Sequence, residues 1–197
     1  MASAEYRTEC FYGYGTYTAT ITPPAQTVTG ENKGLVTAFF TFTGADDDTL
    51  ENDVTGWDEI DFEIMGRAPV LGNGIDDKYG TSCADLIAAG NTNIMVVQTN
   101  YFVKEVGLRE AGYCLPFGTY KYQFDWTPTS ITWRYDDGSG WQQMRSETYL
   151  AGDGPTQAGR VFMSLWASES TDAWVDGPFV YNGTPRTAIF SDVTIIP

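Results

Sequence analysis

Three carboxylates alternate along the segment WDEIDFEIMG at positions 57–66. If this segment is a strand, successive side chains point to opposite faces, so Trp57, Glu59, Asp61 and Glu63 share one face while the other face is apolar. Three neighbouring carboxylates repel one another, and at least one of them should keep its proton to unusually high pH. A solvated acidic face is the simplest alternative, but the adjacent tryptophan and the regular alternation favour a site for acid–base chemistry.

The spacing of Glu59 and Glu63 suits a reaction that uses two carboxyl groups. Residues four apart on a strand lie about 13 Å apart at Cα, and side chains that lean toward each other can bring their carboxyl groups to about 5–6 Å. Retaining glycosidases hold their two carboxyls about 5–5.5 Å apart, and inverting glycosidases hold theirs about 6.5–9.5 Å apart. Asp61 lies between the two and can orient a nucleophile or raise the pKa of a neighbouring acid.

Other common catalytic groups are absent or badly spaced. The sequence has no histidine, which excludes Ser-His and Cys-His nucleophile pairs and histidine-ligated zinc. The three cysteines, Cys10, Cys83 and Cys114, allow at most one disulfide within the chain, leave its pairing open and show no CxxC spacing. The run Asp46–Asp48 lacks the spacing of an EF-hand calcium loop and is interpreted as a solvated turn, so no metal site is predicted.

The charge balance limits the partners. Lys and Arg total 11 against 26 Asp and Glu, for a net charge of -15, so nucleic acid and anionic membrane surfaces are disfavoured while a neutral substrate is not. No apolar run approaches the length of a membrane span. The first residues lack the features of a signal peptide, which indicates either a cytosolic protein or a mature form of an exported one.

The elements that must position the carboxylates are short strands separated by turns. About nine strands and one short helical turn at 84–89 are predicted, with no long helix. This pattern indicates an all-β fold, a sandwich or jelly roll of antiparallel sheets, in a single domain spanning 1–197. The predicted strands are 16–22, 34–43, 57–65, 93–103, 119–126, 131–135, 141–145, 161–166 and 187–196.

The acidic segment resembles the signature of glycoside hydrolase family 16, in its uninterrupted Glu-x-Asp-x-Glu form. That form is found in the bacterial lichenases (endo-1,3-1,4-β-glucanases) and in the xyloglucan-active and yeast cell-wall transglycosylase branches. Further segments resemble the family in the same order along the chain. These segments are EYRT at 5–8, YGYG at 12–15, VQTNY at 97–101, TYKYQFDW at 119–126 and MSLW at 163–166.

The resemblance implies a β-jelly-roll with a concave substrate cleft across one sheet. By position, Glu59 is similar to the family's nucleophile, Asp61 to its helper and Glu63 to its general acid/base. Aromatic side chains give sugar rings flat platforms, and Asn, Gln and Arg hydrogen-bond hydroxyls; for each aromatic residue the alternative is core packing. Trp126, Trp133 and Trp141 are interpreted as structural or left undecided. The predicted substrate-binding residues are Trp57, Asn100, Trp166, Arg7, Tyr14, Gln98 and Trp174.

The function that the resemblance implies is a secreted, extracellular retaining endo-glycosidase on the polysaccharide β-glucan, with 1,3-1,4-β-glucan as the expected substrate. No cofactor is expected. Asp192 resembles a calcium ligand of lichenases, but a structural calcium ion is not claimed. The alternatives are a transglycosylase or a xyloglucan- or β-1,3-glucan-active member of the same family, and a non-catalytic carbohydrate-binding sandwich.

The chain departs from the family at its start. Family members carry an additional N-terminal segment that supplies strands, and this chain begins almost at the Tyr-Gly-Tyr-Gly region. Either the insertions at 25–33, 45–56 and 67–92 compensate for those strands, or a sheet edge is exposed and can pair with another chain. A monomer is predicted, with a dimer through that edge as the alternative.

Overall fold

Two antiparallel β-sheets make up most of the computed structural model, which describes residues 3–43, 56–70, 82–104, 111–169 and 173–197. The described residues also contain the helix α1 (Ser82–Ala88) and a 3-10 turn (Ala173–Val175), and none of their helices is long and apolar enough to cross a membrane. The strands are β1 (Ala4–Arg7), β2 (Gly15–Thr22), β3 (Asn32–Phe42), β4 (Glu59–Gly66), β5 (Ile94–Phe102), β6 (Ala111–Pro116), β7 (Tyr120–Thr127), β8 (Ser130–Asp136), β9 (Trp141–Thr148), β10 (Arg160–Ala167) and β11 (Ile189–Ile196).

The acidic strand lies near the middle of the larger sheet. The six-stranded sheet has the order β1-β10-β3-β4-β5-β6, and the five-stranded sheet has the order β11-β2-β7-β8-β9. The predicted all-β sandwich of antiparallel sheets is therefore confirmed. In the described part of the chain, the edge strands are β1 and β6 of the larger sheet and β11 and β9 of the smaller one, each with a partner on one side only.

The strand predictions hold for nine strands and miss two. β1 has four residues, all exposed, and β6 carries a glycine and a proline in six residues, so neither shows the alternation of a half-buried strand. The acidic strand begins at Glu59, two residues later than predicted, and the predicted helical turn is the helix α1. The predicted turns at Asp46–Asp48 and 71–80 lie outside the described residues.

Aromatic packing between the sheets fixes the register of β4. Ile60 and Phe62 are fully buried, and the Phe62 ring lies 5.2 Å from that of Tyr122 and 6.3 Å from that of Phe124 on the opposite sheet. Burying a side chain of this size contributes about 1.5–3 kcal/mol. A shift of one residue would bring the carboxylates into this core, so the apolar face of β4 determines where they lie.

A second, smaller core lies on the face of the six-stranded sheet that points away from the five-stranded sheet. It covers one end of that face. Val36, Met65, Val96 and Cys114 are paired in register across β3, β4, β5 and β6, and α1 and the 3-10 turn pack against them. Cys83 of α1 forms a disulfide with Cys114. The disulfide resolves the pairing that the sequence left open, and Cys10 is a free, exposed cysteine.

Asp58 fixes the chain just before the acidic strand. Its side chain is 1% exposed and accepts hydrogen bonds from the backbone N–H groups of Lys104 at 2.9 Å, Thr156 at 2.6 Å and Gln157 at 3.0 Å. These donors belong to two separate loops. The carboxylate therefore joins both loops to the start of β4, and hydrogen bonds to a charged group are stronger than those between neutral groups.

We expect Asp58→Asn to lower the free energy of unfolding by about 2–4 kcal/mol, because an amide offers one acceptor oxygen and turns its own N–H groups toward backbone donors. Chemical denaturation measures the change. Asp153→Asn, on an exposed loop, is the matched control and should change stability by less than about 0.5 kcal/mol. An equally small effect of Asp58→Asn would contradict its role as the anchor.

Candidate active site

The strand register places the three carboxylates in the centre of one face of the six-stranded sheet. Residues directly opposite each other on antiparallel strands point to the same face. Asp61 lies between Phe40 of β3 and Asn100 of β5. Glu63 lies in the same way between Ala38 and Gln98, and Glu59 between Phe42 and Phe102. The predicted common face of Glu59, Asp61 and Glu63 is therefore present.

Two adjoining cavities share these carboxylates, and we call them together the groove. The first, of about 360 Å³, extends toward β10 and β1, and the second, of about 300 Å³, extends over β5. Besides the three carboxylates, residues lining the first cavity include Glu5, Phe40, Ser164 and Trp166. The second is lined by Gln98, Asn100, Phe102 and Trp174.

Aromatic side chains flank the carboxylates on both sides along the strand direction. Beyond Glu59, the Trp57 ring lies 5.4 Å from Phe42 and 4.8 Å from Phe102. Beyond Glu63, the rings of Trp166 and Trp174 lie 5.6 Å apart. Of the three predicted tryptophans, Trp166 and Trp174 line the groove, and Trp57 packs against Phe102, which lines it.

Asn100 holds two of the carboxylates. Its backbone N–H donates to Asp61 Oδ1 at 3.0 Å, and its Nδ2 donates to Glu63 Oε2 at 2.9 Å. The oxygens Oδ1 of Asn100 and Oε1 of Gln98 are buried and have no hydrogen-bond partner among the described residues. Buried acceptors without a partner are rare in proteins, so the side chains of Asn100 and Gln98 are held beside the carboxylates with part of their hydrogen-bonding capacity unused.

Burial raises the pKa values of two neighbouring carboxyl groups, those of Glu59 and Asp61. Asp61 is 2% exposed. Burial, and then the charge of Glu63, raises the pKa of Glu59 to about 8, and burial followed by the charge of Glu59 raises the pKa of Asp61 well above its usual range. Removing two adjacent carboxylates from water favours the state in which they carry fewer negative charges.

A hydrogen bond joins the carboxyl groups of Glu59 and Asp61, so the two residues bind and release protons as a coupled pair. This bond lowers the pKa of Glu59 and raises the pKa of Asp61. These are the directions expected when a protonated Asp61 donates to an ionised Glu59. When the pair holds a single proton and Asp61 keeps it, Glu59 is an ionised carboxylate beside a neutral hydrogen-bond donor, which is the combination that a carboxylate nucleophile requires.

The opposite sheet also contacts Asp61, through a residue whose role the sequence left undecided. Trp133 of β8 is fully buried, and its Nε1 donates to the backbone oxygen of Asp61 at 3.1 Å. The guanidinium carbon of Arg145 lies 4.8 Å from the Trp133 ring, and its Nη1 donates to the backbone oxygen of Thr99. Trp133 and Arg145 therefore support the backbone beneath the carboxylates. These roles could not be predicted from the sequence, because a contact between two sheets leaves no local pattern.

Several groove residues were missed in the sequence. Phe102 follows Gln98 and Asn100 at the same two-residue spacing, and this spacing was sufficient to predict that it shares their face. Phe40 alternates with Ala38 on β3 in the same way. Glu5 and Ser164 are opposite each other on β1 and β10, and this pairing depended on a strand that was not predicted.

Arg7 and Tyr14 have different positions. Arg7 is opposite Phe162, which is opposite Phe40, so it lies on the carboxylate face at the sheet edge. Tyr14 instead packs edge-on against Trp126 with ring centroids 5.0 Å apart, and it is not among the described residues that line the groove. The structure therefore does not bring Tyr14 together with the other predicted residues.

Asp192 has partners within the protein. It has a left-handed backbone with φ 49°, and its Oδ2 accepts hydrogen bonds from the hydroxyls of Thr20 at 3.2 Å and Ser191 at 3.4 Å. Within the described ranges, no group of three or more Asp, Glu, Cys or His side chains could hold a metal ion.

A family model described as Glycosyl hydrolases family 16 matches residues 1–73 and 84–179. The chain is 32% identical over 184 residues to a β-glucanase of Paenibacillus macerans, covering 91% of this chain and 58% of that protein. It is also 32% identical over 199 residues to a xylanase/β-glucanase of Ruminococcus flavefaciens, covering 98% of this chain and 19% of that protein. The chain therefore spans less than two thirds of each relative.

Solved structures share the fold. A β-glucanase of Bacillus licheniformis superimposes with a TM-score of 0.65 at 29% identity, over 98% of this chain and 71% of that one. The Crh5 transglycosylase gives the same TM-score at 20% identity, over 98% and 68% of the two chains, and shows the fold alone. These likenesses confirm the predicted β-jelly-roll sandwich.

The raised pKa of Glu59 predicts a pH-dependent stability cost. The Glu59 carboxyl ionises above about pH 4.5 in the unfolded chain but only near pH 8 in the folded protein. The folded state is therefore destabilised by an amount that is absent below about pH 4.5 and grows as the pH rises toward 8. We expect Glu59→Gln to raise the free energy of unfolding by on the order of 2 kcal/mol at pH 8 and to leave it almost unchanged at pH 4.

Melting temperatures of both proteins across this pH range measure the effect. The control is Glu9→Gln, which alters an exposed carboxyl and should change stability little at either pH. A Glu59→Gln protein that is less stable than the wild type at pH 8 would show that the Glu59 charge is not destabilising.

Proposed function

The chain belongs to glycosyl hydrolases family 16, and on this premise we propose that it is a retaining endo-glycosidase that hydrolyses β-glucan, with mixed-linkage 1,3-1,4-β-glucan as its substrate. One observation carries the proposal: a single strand presents Glu59 and Glu63 to a groove on either side of a buried Asp61 that hydrogen-bonds Glu59. The relatives at about 30% identity are named β-glucanases, which supports the substrate class.

In the first proposed step, the ionised Glu59 attacks the anomeric carbon while Glu63 donates its proton to the glycosidic oxygen. The carbon–oxygen bond to the leaving sugar breaks, and an ester bond forms between Glu59 and the remaining sugar. Asp61 stays protonated and donates its hydrogen bond to Glu59. Asn100 keeps the Glu63 carboxyl in place through Oε2.

In the second step, Glu63 is ionised and acts as a base. It takes a proton from water as the water oxygen attacks the anomeric carbon, and the ester bond to Glu59 breaks. Two inversions at the same carbon give net retention of configuration. The cycle ends with Glu63 protonated and Glu59 ionised, as it began.

The borders of the groove suit a neutral polysaccharide. Trp57, Trp166 and Trp174 offer apolar rings for stacking on sugar faces. Gln98 and Asn100 also line the groove, and their amide groups are of the type that hydrogen-bonds sugar hydroxyls. We further propose that catalysis requires no metal, since both steps use proton transfer and carboxylate attack alone.

The disulfide supports an oxidising environment, because such bonds are rare in the reducing cytosol. We therefore propose that the protein acts outside the cell, and as a monomer, since the groove is built from one chain. Fractionation of the source cells tests the location, and light scattering tests the oligomeric state. Recovery in the cytosol, or a dimer at assay concentrations, would contradict these two proposals.

Leaving-group chemistry separates the proposed roles of the two glutamates. We expect Glu59→Gln to lose at least about 10³-fold in rate on every substrate, because it lacks the nucleophile. We expect Glu63→Gln to lose about 10²–10⁴-fold on barley glucan. The same variant should release dinitrophenolate from an aryl glycoside of a glucan trisaccharide at nearly the wild-type rate in the first turnover, because this leaving group needs no proton.

The measurements are reducing-end release and the burst of dinitrophenolate, with Asp153→Asn as the control that should retain both. Proton NMR of the first product gives its anomeric configuration, and product sizing distinguishes hydrolysis from transfer, which gives products longer than the substrate. A chelator should leave the rate unchanged.

Full activity of Glu59→Gln on barley glucan would overturn the proposal. Binding without any released reducing ends would indicate a carbohydrate-binding protein instead.

A further inference from the structure

We propose that the Cys83–Cys114 disulfide and the buried side chain of Val175 position Trp174 as a wall of the substrate groove. In this proposal Cys83, Cys114 and Val175 are positioning residues for sugar binding. The inference rests on the proposed function and deepens it, because it assigns a task in substrate binding to a part of the chain that holds no catalytic group.

The first step concerns the face of the sheet just beyond Glu63. Met65 is two residues further along β4, so it lies on the same face as the carboxylates. It is 1% exposed because α1 and the 3-10 turn cover this end of the sheet. The cover begins immediately beside Glu63 and therefore limits the groove on that side.

The second step concerns what holds the cover in place. The helix α1 has seven residues, and a helix this short is not stable by itself. Cys83 is fully buried and is bonded to Cys114 of β6, and the backbone N–H of Cys114 also donates to the Ser82 hydroxyl at 3.2 Å. The covalent bond therefore fixes α1 on the sheet.

The third step connects this cover to Trp174. Val175 is 1% exposed and packs in the same apolar cluster as Cys83 and Cys114. Trp174 precedes Val175 in the 3-10 turn and lines the cavity that contains the three carboxylates. Burial of Val175 thus determines where the neighbouring indole lies.

Backbone hydrogen bonds hold the two ends of the segment that carries the turn. Ser168 N–H donates to the Gly34 oxygen at 2.7 Å, and Phe179 N–H donates to the Ser168 oxygen at 2.9 Å. These bonds fix the two ends of the segment 168–179. Between them, the described part of the segment reaches the sheet through Val175 and through the contact between the Trp174 and Trp166 rings.

A wall that contacts sugar equally in the ground state and the transition state affects KM and leaves kcat unchanged. We therefore expect Trp174→Ala to raise KM about ten-fold with kcat retained, as for the loss of one aromatic contact. The variant Cys83→Ala/Cys114→Ala should raise KM in the same direction. Because it acts through Trp174, adding this pair of changes to Trp174→Ala should raise KM no further.

The experiment measures KM, kcat and melting temperature for these proteins on barley glucan, below the melting temperature of each. Ile131→Ala, a truncation of a buried side chain on β8 of the sheet that does not form the groove, is the matched control. It should lower the melting temperature while KM stays at the wild-type value. Val175→Ala keeps the disulfide and should also raise KM, so the proposal remains testable if the cysteine variant does not fold.

An unchanged KM in both Cys83→Ala/Cys114→Ala and Val175→Ala would overturn the inference, and so would KM increases that multiply when combined with Trp174→Ala. The wild-type rate tests the proposed function separately. If the wild type is inactive, calorimetric titration with a mixed-linkage glucan oligosaccharide gives Kd for the same variants, and the same comparisons apply. Absence of any binding by the wild type would overturn both proposals.

Discussion

The two-residue alternation of β4 is the constraint on which the rest of the structure depends. One face of this strand is held in the core by Ile60 and Phe62, which pack against aromatic rings of the opposite sheet. The other face must then carry Glu59, Asp61 and Glu63 toward the groove. Because a slip of one residue would exchange the two faces, the stability of the core and the position of the carboxylates cannot vary independently.

Holding carboxylates together in a partly buried groove has a free-energy cost that neighbouring groups reduce. Asn100 does this by donating hydrogen bonds to the carboxyl groups of both Asp61 and Glu63. The remaining cost is expressed as a raised pKa for Glu59 and Asp61. The raised pKa values keep a proton on the pair, and the form in which Asp61 holds this proton and donates it to an ionised Glu59 is the one that the proposed chemistry uses.

Much of this arrangement could be predicted from the sequence, because it depends on local alternation. Period-two patterns gave nine strands, and the spacing of Glu59, Asp61 and Glu63 gave their common face. Contacts between distant segments could not be derived in this way. The support of Asp61 by Trp133, the pairing of Cys83 with Cys114 and the packing of Tyr14 on Trp126 all depend on how the two sheets and their loops come together. The strands β1 and β6 could not be predicted because neither shows the period-two alternation.

The most direct test of the central claim is to locate the covalent intermediate. A fluorinated glucan glycoside with a good leaving group forms the glycosyl-enzyme quickly, and its electron-withdrawing fluorine slows the second step, so the intermediate accumulates. Mass spectrometry of the intact protein and of its proteolytic peptides then gives the number and position of attached sugars. The proposed mechanism predicts one attached glycoside, on Glu59. Attachment to Asp61 or Glu63, or no attachment while the enzyme turns over, would contradict it.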